Sequence, residues 1–188
     1  VLELSQSVGT FFKGGRILVA RDGRISGRMF TEATIAGLTS AGCEVWDMGM
    51  ATTPCVQYLV PLWGLEGGVV VTASHNPPEY NGIKVVAGDG VEVPRSEEDS
   101  IEEIYRARKW SKVEWKRIGK IYHRTDGIDT YVRSIRKHFD IDAIREARLT
   151  CLVDSGNGVG SLTTPYVLRD LGCAVHTINS TIDGTFPN

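Results

Sequence analysis

Two apolar runs without alternation, Arg16-Ile17-Leu18-Val19-Ala20 and Val69-Val70-Val71-Thr72, constrain the fold most. A strand that is apolar at successive positions has to be covered on both faces, which happens in largely parallel sheets flanked by helices. The intervening sequence supplies those helices. Arg28 to Ala41 carries Met29, Ala33 and Ala36 at helical spacing, and Gly42 stops it as a left-handed terminator would. Cys43-Glu44-Val45-Trp46-Asp47 is a second strand, and Thr53-Pro54 reads as an N-cap followed by proline at the first helical position of a helix to about Trp63. Strand, helix, strand, helix, strand in this rhythm predicts an α/β fold, a sheet sandwiched between helices.

Further along, Ile83 to Val86 and Val91 to Val93 flank Gly88-Asp89-Gly90 as a hairpin would, making the sheet mixed. Ser96-Glu97-Glu98-Asp99 has the form of a capping box opening a helix to about Lys109. Trp110 to Arg124 is basic and strand-poor and reads as a connector. Ile128, Tyr131, Val132, Ile135 and Phe139 form one helical stripe. A second, similar α/β unit then starts: strand Leu149 to Asp154, turn Ser155 to Gly160, helix Ser161 to Leu171, strand Cys173 to Ile178. The predicted division is 1–147 for the first domain and 148–188 for the start of a second, cut short.

Composition narrows the function classes. With 188 residues, 41% hydrophobic and 23% charged, the chain is an ordinary globular sequence. The net charge of −2 gives no electrostatic support to a nucleic-acid or membrane-surface role. No apolar run approaches the ~18 residues of a membrane span. Cys43, Cys55, Cys151 and Cys173 form no C-x-x-C pair and sit in apolar segments. They read as reduced core residues of a cytoplasmic protein. The glycine-rich turn Gly156 to Gly160 lacks the spacing of a dinucleotide fingerprint. His123, His138 and His176 are isolated, and the four tryptophans read as core or connector residues.

The chemically informative segment is Val71-Thr72-Ala73-Ser74-His75-Asn76-Pro77-Pro78-Glu79-Tyr80-Asn81-Gly82-Ile83-Lys84. It follows a buried strand, where ligand sites of open α/β sheets lie. The prolines stiffen the exit, and Asn81-Gly82 turns the chain so that Lys84 can return toward Ser74. Read from the residues alone, it is equally a solvated surface turn. Arg21, at the end of its strand and beside a helix start at Ser26, pairs a guanidinium with free backbone N–H groups, a candidate phosphate site. Arg24 is a weaker candidate in the same loop.

Thr72 to Pro77 followed by Asn81-Gly82-Ile83-Lys84 resembles the signature of the α-D-phosphohexomutases. That family includes phosphoglucomutase, phosphomannomutase and the phosphoglucosamine mutases. Arg21 to Gly27, Thr53-Pro54, Asp154 to Gly158 and Asp183 to Pro187 resemble further family segments in the same order. The resemblance implies a phosphoserine at Ser74 that exchanges its phosphoryl group with a hexose phosphate through a hexose 1,6-bisphosphate. It implies Lys84 as an aid to proton transfer, His75 as an orienting group, and Arg21, Ser26 and Arg24 as phosphate contacts. It also implies Mg2+ bound through the Ser74 phosphate. The family's Asp-Gly-Asp-Gly-Asp metal loop does not occur in this sequence, and Asp89 alone is a poor Mg2+ ligand. The chain therefore reads as the front of a mutase acting on mannose or glucose phosphates, inactive alone. Phosphoglucosamine mutase is the alternative within the family, and a non-catalytic sugar-phosphate-binding fragment the alternative outside it.

Overall fold

The computed structural model describes residues 1–187; Asn188, the last residue of the expected second unit, lies outside the described residues. Five strands form one sheet in the order β4-β3-β1-β2-β5. They are β1 (Arg16–Arg21), β2 (Glu44–Met50), β3 (Gly67–Val71), β4 (Ile83–Ala87) and β5 (Ile121–His123). All pairs are parallel except β3 with β4. This is the expected mixed sheet between helices.

The doubly apolar strands divide their side chains between two cores. Ile17, Val19, Val45 and Val69 pack beneath α1 (Leu2–Phe11), α2 (Gly27–Ser40) and α4 (Arg95–Arg106). Leu18, Ala20, Val70 and Val86 pack with Cys55, Val56, Leu59 and Val60 of α3 (Thr53–Leu62) and with Tyr131 of α5 (Gly127–Ile135). Gly68 shows how close these layers come. A Cβ there would lie 2.8 Å from Val56 and 2.9 Å from Val60. All four cysteines are free, with Cys43, Cys55 and Cys173 buried and Cys151 half-buried.

Several elements differ from the sequence reading. Helix α1 was not expected, although Leu4, Val8 and Phe11 stand at helical spacing and pack it on the core, with Ser5, Gln6, Ser7 and Gly9 buried beside them. Gln6 also donates to the Ser40 hydroxyl at 2.9 Å, tying α1 to α2. The anticipated hairpin is present but short: the Ala87 N–H donates to the Val91 carbonyl at 2.8 Å and the Val93 N–H to the Val85 carbonyl at 3.0 Å, around the antiparallel bridge of Val86 with Glu92, while β4 pairs on its other side with β3. The N-cap of α3 is Thr52, one residue earlier than read, and α4 starts after Pro94 with no capping-box bond from Ser96. The connector holds β5, too short to show as a pattern. Helix α5 ends before Phe139, which is exposed, and a further helix α6 (Ile141–Glu146) follows with Asp140 accepting from the Ala143 N–H.

The second unit is a parallel pair, β6 (Thr150–Asp154) with β7 (Ala174–Ile178). Its helix is divided into a 3-10 turn at Val159–Leu162 and α7 (Thr164–Asp170), because Thr163 leaves helical geometry at φ −127°. The segment after β7 returns to the first unit: the Cβ of an alanine at Gly184 would sit 2.6 Å from the Gly23 carbonyl oxygen.

Candidate active site

The carboxyl ends of β1 and β3 lie side by side, and the loops leaving them are joined. The Asp22 N–H donates to the Val71 carbonyl at 3.1 Å. The Thr72 hydroxyl donates to Asp22 Oδ2 at 2.7 Å and accepts the Ser74 N–H at 3.0 Å. Ser74 is exposed and has φ +56°, a left-handed conformation that costs a non-glycine residue about 1–2 kcal/mol. Its strain is held by neighbours on both sides, since its carbonyl also accepts from Arg24 Nη2 at 2.9 Å.

Ser74 lines a cleft of about 230 Å³ with Asp22, Thr52, Thr53, Pro54, Val70 and Thr72. Gly158, Val159 and Phe186 of the second unit complete the lining. The amino end of α3 therefore faces the serine, where its dipole favours negative charge. His75 stands next to the hydroxyl, with Nδ1 3.4 Å from Ser74 Oγ. The serine thus lines a cleft and stands next to its histidine.

The basic residues are placed differently from the sequence reading. Arg24 is 2% exposed, and all five of its guanidinium N–H groups have protein acceptors. Nε donates to Asp22 at 3.0 Å, Nη1 to the Pro77 and Tyr80 carbonyls, and Nη2 to the Ser74 and Asn76 carbonyls. It has no donor left for a phosphate, so its expected role as a phosphate contact is corrected to that of a buried brace of the serine loop. Arg21 follows the phase of Ile17 and Val19 and turns to the opposite face. It lies beside Gly27 at the start of α2, but in a groove with Arg28, Asp47 and His123 rather than in the Ser74 cleft. Ser26 is the N-cap residue of α2 and its hydroxyl accepts from Asn81 Nδ2 at 3.0 Å, which links α2 to the end of the serine loop. Lys84 lies opposite Val70, which lines the cleft, but its ammonium is bonded to Glu92 at 2.7 Å.

Asp22, Thr72 and Phe186 are site residues whose roles the sequence did not reveal. All three lie inside the quoted motifs, so the signal was positional and only their hydrogen bonds and contacts were missing. The described residues contain no group of three or more His, Cys, Asp or Glu placed to hold a metal ion. Both Asp22 oxygens are already engaged by Arg24 and Thr72. The donor set present does not fit Mg2+ by itself.

Fold and site together define a three-layer α/β domain that presents a strained serine at the carboxyl edge of its sheet. Family descriptions match on the same ground: phosphoglucomutase/phosphomannomutase α/β/α domain I over residues 1–112 and domain II over residues 129–188. The chain belongs to the α-D-phosphohexomutase family. It is 47% identical to a phosphoglucosamine/phosphogalactosamine mutase of Sulfurisphaera tokodaii and 41% identical to a phosphoglucomutase/phosphomannomutase of Thermococcus kodakarensis. Each match covers 99% of this chain but only 41% and 42% of the relative, so the chain spans about two fifths of their length. A crystal structure of a phosphoglucomutase/phosphomannomutase family protein from Burkholderia thailandensis superposes with a TM-score of 0.80 at 29% identity, over all of this chain and 42% of that one.

Proposed function

We propose that Ser74 is the carrier of a transferable phosphoryl group in a phosphohexomutase that interconverts hexose 1-phosphate and hexose 6-phosphate. The observation that carries the reading is an exposed hydroxyl on a left-handed residue, fixed at a cleft that faces a helix amino end. Phosphoryl transfer asks mainly for positioning and charge stabilisation, which such a site supplies. In the forward half-reaction the bond from Ser74 Oγ to phosphorus breaks and a bond from phosphorus to a sugar hydroxyl oxygen forms. The sugar proton leaves to a base, the departing Ser74 oxygen takes up a proton to return to the hydroxyl, and a hexose 1,6-bisphosphate results. After the bisphosphate turns over, its other phosphate returns to Ser74.

His75 is assigned the orientation of the phosphate. Lys84 is assigned to the sugar hydroxyl, which requires it to swing from Glu92 into the cleft. Arg21 and Ser26 border the start of α2, and a second phosphate contact there is the role proposed for them. The chemistry that Mg2+ supplies when bound is neutralisation of the phosphoserine; the groups named here do not build its site. A location in the cytoplasm accords with four free thiols, three of them buried.

Glucose and mannose phosphates are the substrates proposed. The relatives named as phosphoglucosamine mutases support the amino sugar as the second reading. The test is intact mass after incubation with hexose 1,6-bisphosphate and Mg2+. A gain of about 80 Da, absent in Ser74→Ala, is expected; an equal gain in Ser74→Ala overturns the assignment. Glucose, mannose and glucosamine 1-phosphates compared in removing that label identify the sugar.

A further inference from the structure

We propose that Arg24 is a positioning residue for Ser74: its guanidinium, aligned by Asp22, holds the serine loop in the one backbone shape that directs the hydroxyl into the cleft. The inference rests on the phosphoserine reading and adds a residue that touches neither sugar nor phosphate.

The loop from Ser74 to Tyr80 has little structure of its own. Its local backbone bonds are Asn76 N–H to the Ala73 carbonyl and Tyr80 N–H to the Pro77 carbonyl, both at 3.1 Å. What gathers it is one cation, on which the carbonyls of Ser74, Asn76, Pro77 and Tyr80 converge at 2.6 to 2.9 Å. Four carbonyl oxygens facing a buried point need donors there. The planar five-donor fork of arginine meets that need, and the three donors of a lysine ammonium do not.

The alignment of the fork is equally determined. Asp22 accepts from Arg24 Nε and from the Arg24 backbone N–H, each at 3.0 Å. The same carboxylate accepts from Thr72, which accepts the Ser74 N–H. Both backbone groups that fix the left-handed Ser74, its N–H and its carbonyl, therefore lead back to Asp22, one through Thr72 and the other through Arg24. The ring of Phe186 covers the guanidinium at 5.3 Å and lines the Ser74 cleft itself. The second unit thereby closes over the brace.

Arg24→Lys in the 188-residue chain tests this, read by the Ser74 13Cα and 13Cβ shifts and by amide exchange. The expected result is loss of the left-handed signature at Ser74. The bonded amides of the loop, those of Ser74, Asn76 and Tyr80, should exchange at least about tenfold faster, with α3 and β1 unchanged, because bonds to a charged donor are lost. An unchanged signature and unchanged protection overturn the proposal. Should Arg24→Lys unfold the whole domain, Thr72→Val decides. Faster exchange confined to the Ser74 amide is expected, since Arg24 still gathers the carbonyls; release of the whole loop, or none, overturns it. Phosphorylation by hexose 1,6-bisphosphate is read separately by mass. No label on the unsubstituted chain counts against the phosphoserine reading alone, and the exchange data still decide the hold of Arg24 on Ser74. Labelling of Arg24→Lys as fast as the unsubstituted chain overturns the positioning role.

Discussion

At Ser74 the demands of backbone and chemistry conflict. A left-handed φ of +56° is uncomfortable for any residue with a Cβ and worst for a β-branched one. Ser74→Gly is therefore expected to fall within about 1 kcal/mol of the unsubstituted chain in denaturant midpoint, since relief of strain offsets the freer unfolded chain. Ser74→Val is expected to lose about 1–2 kcal/mol more. Neither can be phosphorylated. Equal stability of the two variants would show that the loop does not hold this conformation in solution. The serine and its motif were legible in the sequence because the chemistry is written in contiguous residues. The directions of Arg24 and Lys84 were not, because they depend on partners that only the fold brings into reach, the Ser74 carbonyl 50 residues from Arg24 and Glu92 across the turn from Lys84. For Arg21 the phase was present in the sequence: it stands two residues after Val19, on the α2 face.

Among the elements, the connector shows how a short strand is secured. Arg124, the residue after β5, lies over Trp46 at 4.3 Å and over Trp63 at 4.0 Å, and donates to both oxygens of Asp126 at 2.9 Å. It clamps the connector between β2 and the end of α3. Arg124→Ala is expected to cost about 1–3 kcal/mol, measured by thermal or denaturant unfolding, chiefly through the lost ring contacts. The hydrogen bonds from Arg124 hold the Asp126 carboxyl below the usual range. A depressed folded pKa adds stability above the unfolded carboxylate value, about 3.9, and loses it as pH falls through the lower folded value. The gap between the parent and Arg124→Ala should thus narrow below about pH 4, by a small amount because Asp126 is largely exposed. A gap that widens in acid would contradict the pairing. Elements with an apolar period, such as β1, β3 and α5, were readable. Helix α1 buries serines and glycine beside Leu4, Val8 and Phe11, which blurs its apolar period, and β5 has only three residues in which to show one.

For the whole molecule, the central thiols report on integrity. Burial pushes Cys43 and Cys55 up to about 12 each. A raised thiol pKa favours the folded state fully below the unfolded value of about 8.5, and that advantage is lost as pH rises toward the folded one. Stability should decline on the alkaline side of 8.5, and iodoacetamide at pH 8 should leave both thiols unmodified until the chain unfolds; alkylation of the native chain at Cys55 would contradict the packing under α3. The two units meet where Gly184 approaches Gly23, and Gly184→Ala is expected to cost about 1–3 kcal/mol by overpacking, with faster exchange in the 22–26 loop. That junction was not legible, since two glycines roughly 160 positions apart give no sign of touching. The five-stranded sheet has one more property at its rims. One ends on the three residues of β5 and the other on β4, whose free side is met by the bridge to Glu92. Strands so brief or already engaged offer a passing chain few open amides to extend. The flanks of this domain are poor seeds for fibrous assembly, even though Ile121 and Tyr122 stand in solvent.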